Sequence, residues 1–181
     1  YYPAFTDYPG SVSLSVATFR AMIGEILADI GHAGARTVLK LNTGISTIEP
    51  LQAAVDAMPE QPRIELANVY AGRRCRDVTK AIERQPRGGH ADELETSILL
   101  AIGPERVALD EAKAWTPWAM AVRGPFSRSD PDNPRFSPSG VWGDPTLAST
   151  DKGRRLLAAM LDDLLAAVES LAQSLHGESR S

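Results

Sequence analysis

Three things are scarce in this sequence, and each scarcity closes off a class of function. Cysteine is the first: Cys75 stands alone among 181 residues, so no internal disulfide framework can form. A single thiol suits a reducing compartment, and the expected location is cytoplasmic. No histidine lies near Cys75 in sequence, which leaves it without the adjacent base of a catalytic thiol. Clustered positive charge is the second. The net charge is −4, and the one basic cluster, Arg73, Arg74 and Arg76, is short and runs straight into Asp77. It reads as a solvated face rather than a phosphate-binding stripe, so no nucleic-acid partner is expected. Long apolar runs are the third: none approaches the length of a membrane span, so no membrane partner is expected either.

What is present is ordinary for one globular domain. The hydrophobic share is 43% and the charged share 23%, in a chain long enough to bury a core. Phe19, Ile23, Ile26, Leu27 and Ile30 recur at helical spacing, and Gly31 and Gly34 close that helix. Residues 37–42 read as a short strand, 48–58 as a helix with Pro50 in its first turn, and 63–69 as a second strand ending near Asn68. A polar helical stretch over 73–84 leads into the loop 85–89, and 92–102 forms a helix with Leu94, Ile98 and Ala101 inward. Residues 115–150, rich in Pro, Ser, Asp and Trp, make a long surface excursion. The last helix starts near Thr150 and carries Leu157, Met160, Leu161, Leu164, Val168 and Leu171 on one side. Residues 1–176 form a single domain, with a disordered tail from Gly177. The apolar opening Tyr1-Tyr2-Pro3-Ala4-Phe5 does not read as a natural free terminus.

Strand and helix alternate through the first hundred residues, which implies a parallel sheet with helices on both faces. In such sheets ligands sit beyond the carboxyl ends of the strands. Two segments reach that edge: Asn42-Thr43-Gly44, and the loop carrying Gly88-Gly89-His90. Trp142, set among glycines that permit close backbone approach, joins them as a pocket candidate. Trp115 and Trp118 read as packing residues, Asp144 as a turn acid, and His32 as a helix-end residue. Asn42, Thr43, Gly44, Gly89 and Trp142 are thus the candidates for substrate contact.

The stretch Gly88-Gly89-His90-Ala91-Asp92-Glu93-Leu94-Glu95-Thr96-Ser97 is the most informative. His90 and Glu95 offer one borderline nitrogen and one hard oxygen, a mixture that suits Zn or Mn, and a histidine beside a metal can serve as general base. The bland reading is a helix start, with Asp92 as cap and Glu93 and Glu95 complementing the macrodipole.

This string resembles the Gly-Gly-His-Ala-x-Glu-x-Glu-Thr-Ser motif of the creatininase family. Tyr8-Pro9-Gly10-Ser11-Val12-Ser13-Leu14 is similar to that family's aromatic-Pro-Gly-Thr-x-Ser-Leu segment, and Ser137 to Pro145 resembles its Gly-x-x-Gly-Asp/x-Pro stretch. The resemblance implies a three-layer α/β/α sandwich with a mostly parallel sheet, a divalent metal (Zn or Mn), and hydrolysis of a C–N bond in a small cyclic or linear amide. It implies a homo-oligomer, usually a hexamer. His90 matches the family's catalytic or metal-adjacent histidine, and Glu95 the glutamate of its Glu-Thr-Ser. Two departures stand out. Asn42-Thr43-Gly44-Ile45-Ser46-Thr47 occupies the place of Asn-Gly-His-Gly-Gly-Asn, without its histidine. The family's early Glu-x-His-Gly-x-His-Leu-Pro…Thr-Asp segment, with most metal ligands, is expected upstream of Tyr1. The alternatives are a non-catalytic member of the same fold, as pseudoenzyme or partner subunit, and an unrelated α/β binding domain.

Overall fold

A computed structural model describes residues 1–60, 62–117 and 124–178. Helix α1 (Val16–His32) begins where the Ser15 hydroxyl accepts the Thr18 N–H at 3.1 Å, satisfying one of the orphan donors of a helix start. Its Phe19, Ile23 and Leu27, spaced four apart, face Leu51 and Ala54 of α2 (Ile48–Asp56), forming the main apolar core. Val38 of β1 (Thr37–Asn42), with Ile64 and Leu66 of β2 (Arg63–Asn68), closes that core from the sheet side. The fold is α/β: β1 and β2 pair in parallel, from Thr37 opposite Arg63 to Asn42 opposite Asn68. Among the described residues the sheet has these two strands.

The second group of helices carries the site. Helix α3 (Arg73–Ile82) and α4 (Glu93–Ile102) both pack on α5 (Thr150–Glu178). The α4–α5 approach is so close that a Cβ on Gly153 would meet the Ser97 carbonyl oxygen at 1.9 Å. Ser97 seals the contact, its hydroxyl donating to Glu93 O and accepting the Ser149 N–H at 3.0 Å. No helix among the described residues is long and apolar enough to cross a membrane.

Several sequence-level expectations need correction. On α1 the buried stripe is narrower than predicted, because Ile26 and Ile30 are 48% and 37% exposed. Gly31 lies inside α1, where its missing Cβ makes room for the Pro62 ring, and Gly34 alone, at φ +97°, turns the chain. On α4 the inward face is Glu93, Thr96 and Ser97, rotated away from the expected Leu94, Ile98 and Ala101. On α5 the buried positions are Gly153, Leu156, Ala159 and Met160, while Leu161 and Val168 stay in water. Both rotations have one cause: the helices meet through small residues, at a spacing that apolar periodicity does not encode. Helix α5 also continues through Gly177 and Glu178, which the sequence reading puts in the tail. Trp118 lies outside the described residues.

Candidate functional site

The start of α4 sorts its acids into different tasks. Asp92, 4% exposed, caps the helix: one oxygen accepts the N–H groups of Leu94 and Glu95 at 2.9 and 3.0 Å, and the other accepts Gln85 Nε2 at 2.8 Å. Glu93 is fully buried. Its carboxylate accepts the N–H groups of Arg84 and Gln85 at 2.8 and 2.7 Å and pairs with Lys152 at the start of α5. Burial alone would raise that carboxyl; Lys152 and the two backbone donors outweigh it and hold it below its usual range. Glu93 is therefore an anchor tying the α3–α4 loop to α5, not the surface dipole partner that its first-turn position suggested.

Glu95 differs from both. It lies 3.5 Å from His90 Nδ1 and accepts the Ala91 N–H at 2.7 Å. That reach-back holds Ala91 at φ +46°, a left-handed conformation uncommon outside glycine. Burial raises the Glu95 carboxyl, and the neighbouring Asp92 charge adds to this against the Ala91 hydrogen bond. Burial lowers the His90 imidazole, with Asp92 opposing. Desolvation thus pushes acid and imidazole alike towards their neutral forms.

His90 sits in an aromatic recess. The Phe5 ring lies 4.0 Å away centre to centre and stacks on Phe126 at 4.9 Å. The Tyr2 hydroxyl is 3.2 Å from His90 Nδ1. Burial, then the charge of Glu95, pushes the Tyr2 phenol up to about 12, so it stays protonated. Backbone bonds fix the other side: Trp142 N–H donates to His90 O at 2.8 Å, and Trp142 O accepts the N–H groups of Gly89 and His90. The indole covers Gly89 so tightly that a Cβ there would lie 2.7 Å from the ring. The structure therefore brings His90, Glu95, Gly89 and Trp142 together.

Asn42, Thr43 and Gly44 lie at the end of β1. Asn42 is 6% exposed and spends its carboxamide internally, donating to Asn68 Oδ1 at 2.6 Å and Gly44 O at 2.9 Å and accepting the Thr47 hydroxyl at 2.6 Å. Thr43 is exposed, and the turn delivers Ile45 rather than these three residues to the cleft beside Glu95.

Sequence reasoning missed Tyr2, Phe5 and Tyr70. Burial and the charges of Glu95 and Asp92 raise the Tyr70 phenol, and the side chain lines the same cleft as Glu95. For Tyr2 and Phe5 the only signal was aromatic density at the start of the chain; Tyr70 gave none.

The family model of creatinine amidohydrolase (creatininase) matches residues 2–168. A protein of Mycolicibacterium smegmatis named mycofactocin precursor peptide peptidase is 29% identical over 155 residues, 86% of this chain and 57% of that one. Its namesake from Mycobacterium ulcerans is 40% identical over 79 residues, 44% of this chain and 31% of that one. The matches thus span 29% to 57% of the length of the curated relatives. Among solved structures, a manganese creatininase superposes with TM-score 0.74 at 21% identity, covering 94% of this chain and 70% of that one. A creatinine amidohydrolase from Bacteroides fragilis, described as putative, gives 0.72 at 25%, covering 94% and 68%.

Proposed function

We propose, from the premise that this chain belongs to the creatininase family, that it supplies the proton-handling side of an amidohydrolase site. The reaction is hydrolysis of a C–N bond in a small cyclic or linear amide. The observation that carries this reading is the His90–Glu95 pair, 3.5 Å apart in a walled recess. Desolvation keeps the imidazole neutral, the form a general base needs. With Nδ1–H donated to the Tyr2 hydroxyl, Nε2 is left to take a proton from the attacking water and return it to the leaving nitrogen. Glu95, beside Nδ1, holds the ring in place. A peptide amide is the second substrate class, favoured by the relatives named as precursor peptide peptidases.

A divalent metal belongs to this reading, because structurally similar creatininases are described in Zn and Mn forms. Glu95 and His90 are the donors that suit it, with His90 Nε2 then serving as ligand in place of base. Yet among the described residues no three His, Cys, Asp or Glu side chains gather closely enough to hold an ion. A catalytic zinc takes three protein ligands, so these two do not complete a site by themselves. Calorimetric titration of the chain with Zn or Mn should give binding no tighter than about micromolar; stoichiometric, sub-micromolar binding refutes the ligand assignment. A homo-oligomer, in the hexameric form the family implies, and a cytoplasmic location complete the proposal. Sedimentation velocity checks the assembly.

The hydrolase reading is tested by turnover of creatinine and simple acyl amides with added metal. His90→Ala and Glu95→Ala should each lower turnover by at least ~10²-fold, the scale of a positioned acid or base. Turnover unaffected by His90→Ala overturns the assignment. Turnover absent under every metal favours a non-catalytic partner subunit, a reading to which the internally spent Asn42 carboxamide already lends support.

A further inference from the structure

The cleft beside Glu95 is larger than amide hydrolysis alone requires. It encloses about 300 Å³ between α3 and α4, the lower end of the range for small-molecule sites. Ile45, Tyr70, Cys75, Thr79 and Leu94 form its walls, with Glu95 among them. The exposure of these residues is unusual. Ile45 is 65% and Tyr70 39% exposed, while Cys75 beneath them is 2% exposed. Large apolar side chains left wet around a concavity mark a surface that gains from being covered.

Three of the charged groups of the same wall are already engaged. Asp92 is taken by Leu94, Glu95 and Gln85, Glu83 by Gln85 Nε2, and the Arg76 guanidinium by Ala71 O. What remains to recognise a ligand is mostly apolar surface, together with the Glu95 carboxyl, the Tyr70 hydroxyl and the Lys80 ammonium. Glu95 lines the cleft and lies 3.5 Å from His90, so a ligand filling the cleft with its polar end at Glu95 has that end next to the imidazole. An amide with no side chain would leave Ile45, Tyr70 and Leu94 hydrated.

We infer that this cleft is a side-chain subsite, taking the apolar or aromatic side chain of an amide whose scissile carbonyl lies at Glu95 and His90. The inference rests on the hydrolase reading above, and one experiment separates the two. N-acetyl-L-phenylalaninamide and N-acetylglycinamide are titrated into the full chain by ligand-observed NMR, and hydrolysis is scored independently. The phenylalanine amide should bind roughly tenfold tighter, the discrimination that an apolar pocket supplies. Thr79→Phe fills the cleft from α3, and Ile45→Ser removes an exposed wall without touching the core. Each should draw the ratio towards one, with circular dichroism confirming the fold. A wild-type ratio near one, or a ratio that survives both substitutions, overturns the subsite. Preference without hydrolysis supports the subsite and counts against the hydrolase reading; equal hydrolysis of both amides does the reverse.

Discussion

Glu93→Ala removes the most deeply buried charge in the second helical group. The substitution strands three partners at once: the Lys152 ammonium, whose side chain is 12% exposed, and the N–H groups of Arg84 and Gln85. Lys152 keeps its bond to Leu147 O at 2.7 Å, but a carbonyl does not neutralise it. Breaking a buried pair by deleting one member costs about 3–5 kcal/mol. Glu93→Gln keeps the volume and an acceptor for the backbone donors while losing the charge, so it should cost less, about 1.5–3 kcal/mol. The exposed pair Arg73–Asp77 provides the contrast, since Asp77→Ala should cost under about 1 kcal/mol. Urea denaturation followed by circular dichroism at pH 7 measures all three. The pH dependence has a definite sign: the folded pKa of Glu93 is depressed. Its contribution is therefore present above the unfolded carboxyl pKa of about 4.3 and is lost as pH falls through the lower folded value. A Glu93→Ala loss below about 1 kcal/mol, or one unchanged in acid, would refute the view that this pair anchors α3, α4 and α5.

Other changes test neighbouring parts of the same region. Asp92→Ala deletes the cap of α4 and should destabilise by about 1–2 kcal/mol in the same urea assay. Cys75 is buried, and burial raises its thiol, so a thiol-reactive dye at pH 7 should label it only as urea unfolds the chain; rapid labelling of native protein contradicts its placement. Gly89→Ala forces a Cβ into the Trp142 ring and should shift tryptophan emission towards that of a wetter indole.

Periodicity revealed the first half of the fold well, because α1, α2, β1 and β2 meet through Phe19, Ile23, Leu27, Leu51 and Val38, large apolar residues at regular spacing. It failed for α4 and α5. Their contact is built from Ser97, Gly153 and a buried ion pair, which carry no apolar signature. The boundary of α3 shows the same limit: the helix stops at Ile82 because the Arg84 and Gln85 N–H groups turn to Glu93, an acceptor that local sequence cannot identify. In the site, the spacing of His90 and Glu95 was legible as motif and chemistry. That Glu93 and Glu95 divide into anchor and site member was not, since both are first-turn acids and only packing separates them. Tyr2 and Phe5 reach His90 from the far end of the chain, a distance no window of sequence spans.

That distance has a consequence for the order in which the molecule assembles. The β1–β2 pairing joins residues about 26 apart, and the α1–α2 core is equally local. The recess around His90 instead needs Tyr2 to cross 88 residues, while Asp7 binds Ser127, Arg128 and Ser129 some 120 positions away. Closure entropy rises with the logarithm of loop length, so these long loops close at the highest entropic cost and draw on contacts that the local core does not supply. The recess should accordingly form late in folding and open early in unfolding. Detaching residues 2–8 from the loop at 126–137 strips His90 of Tyr2 and Phe5 while leaving the Phe19–Leu51 core packed.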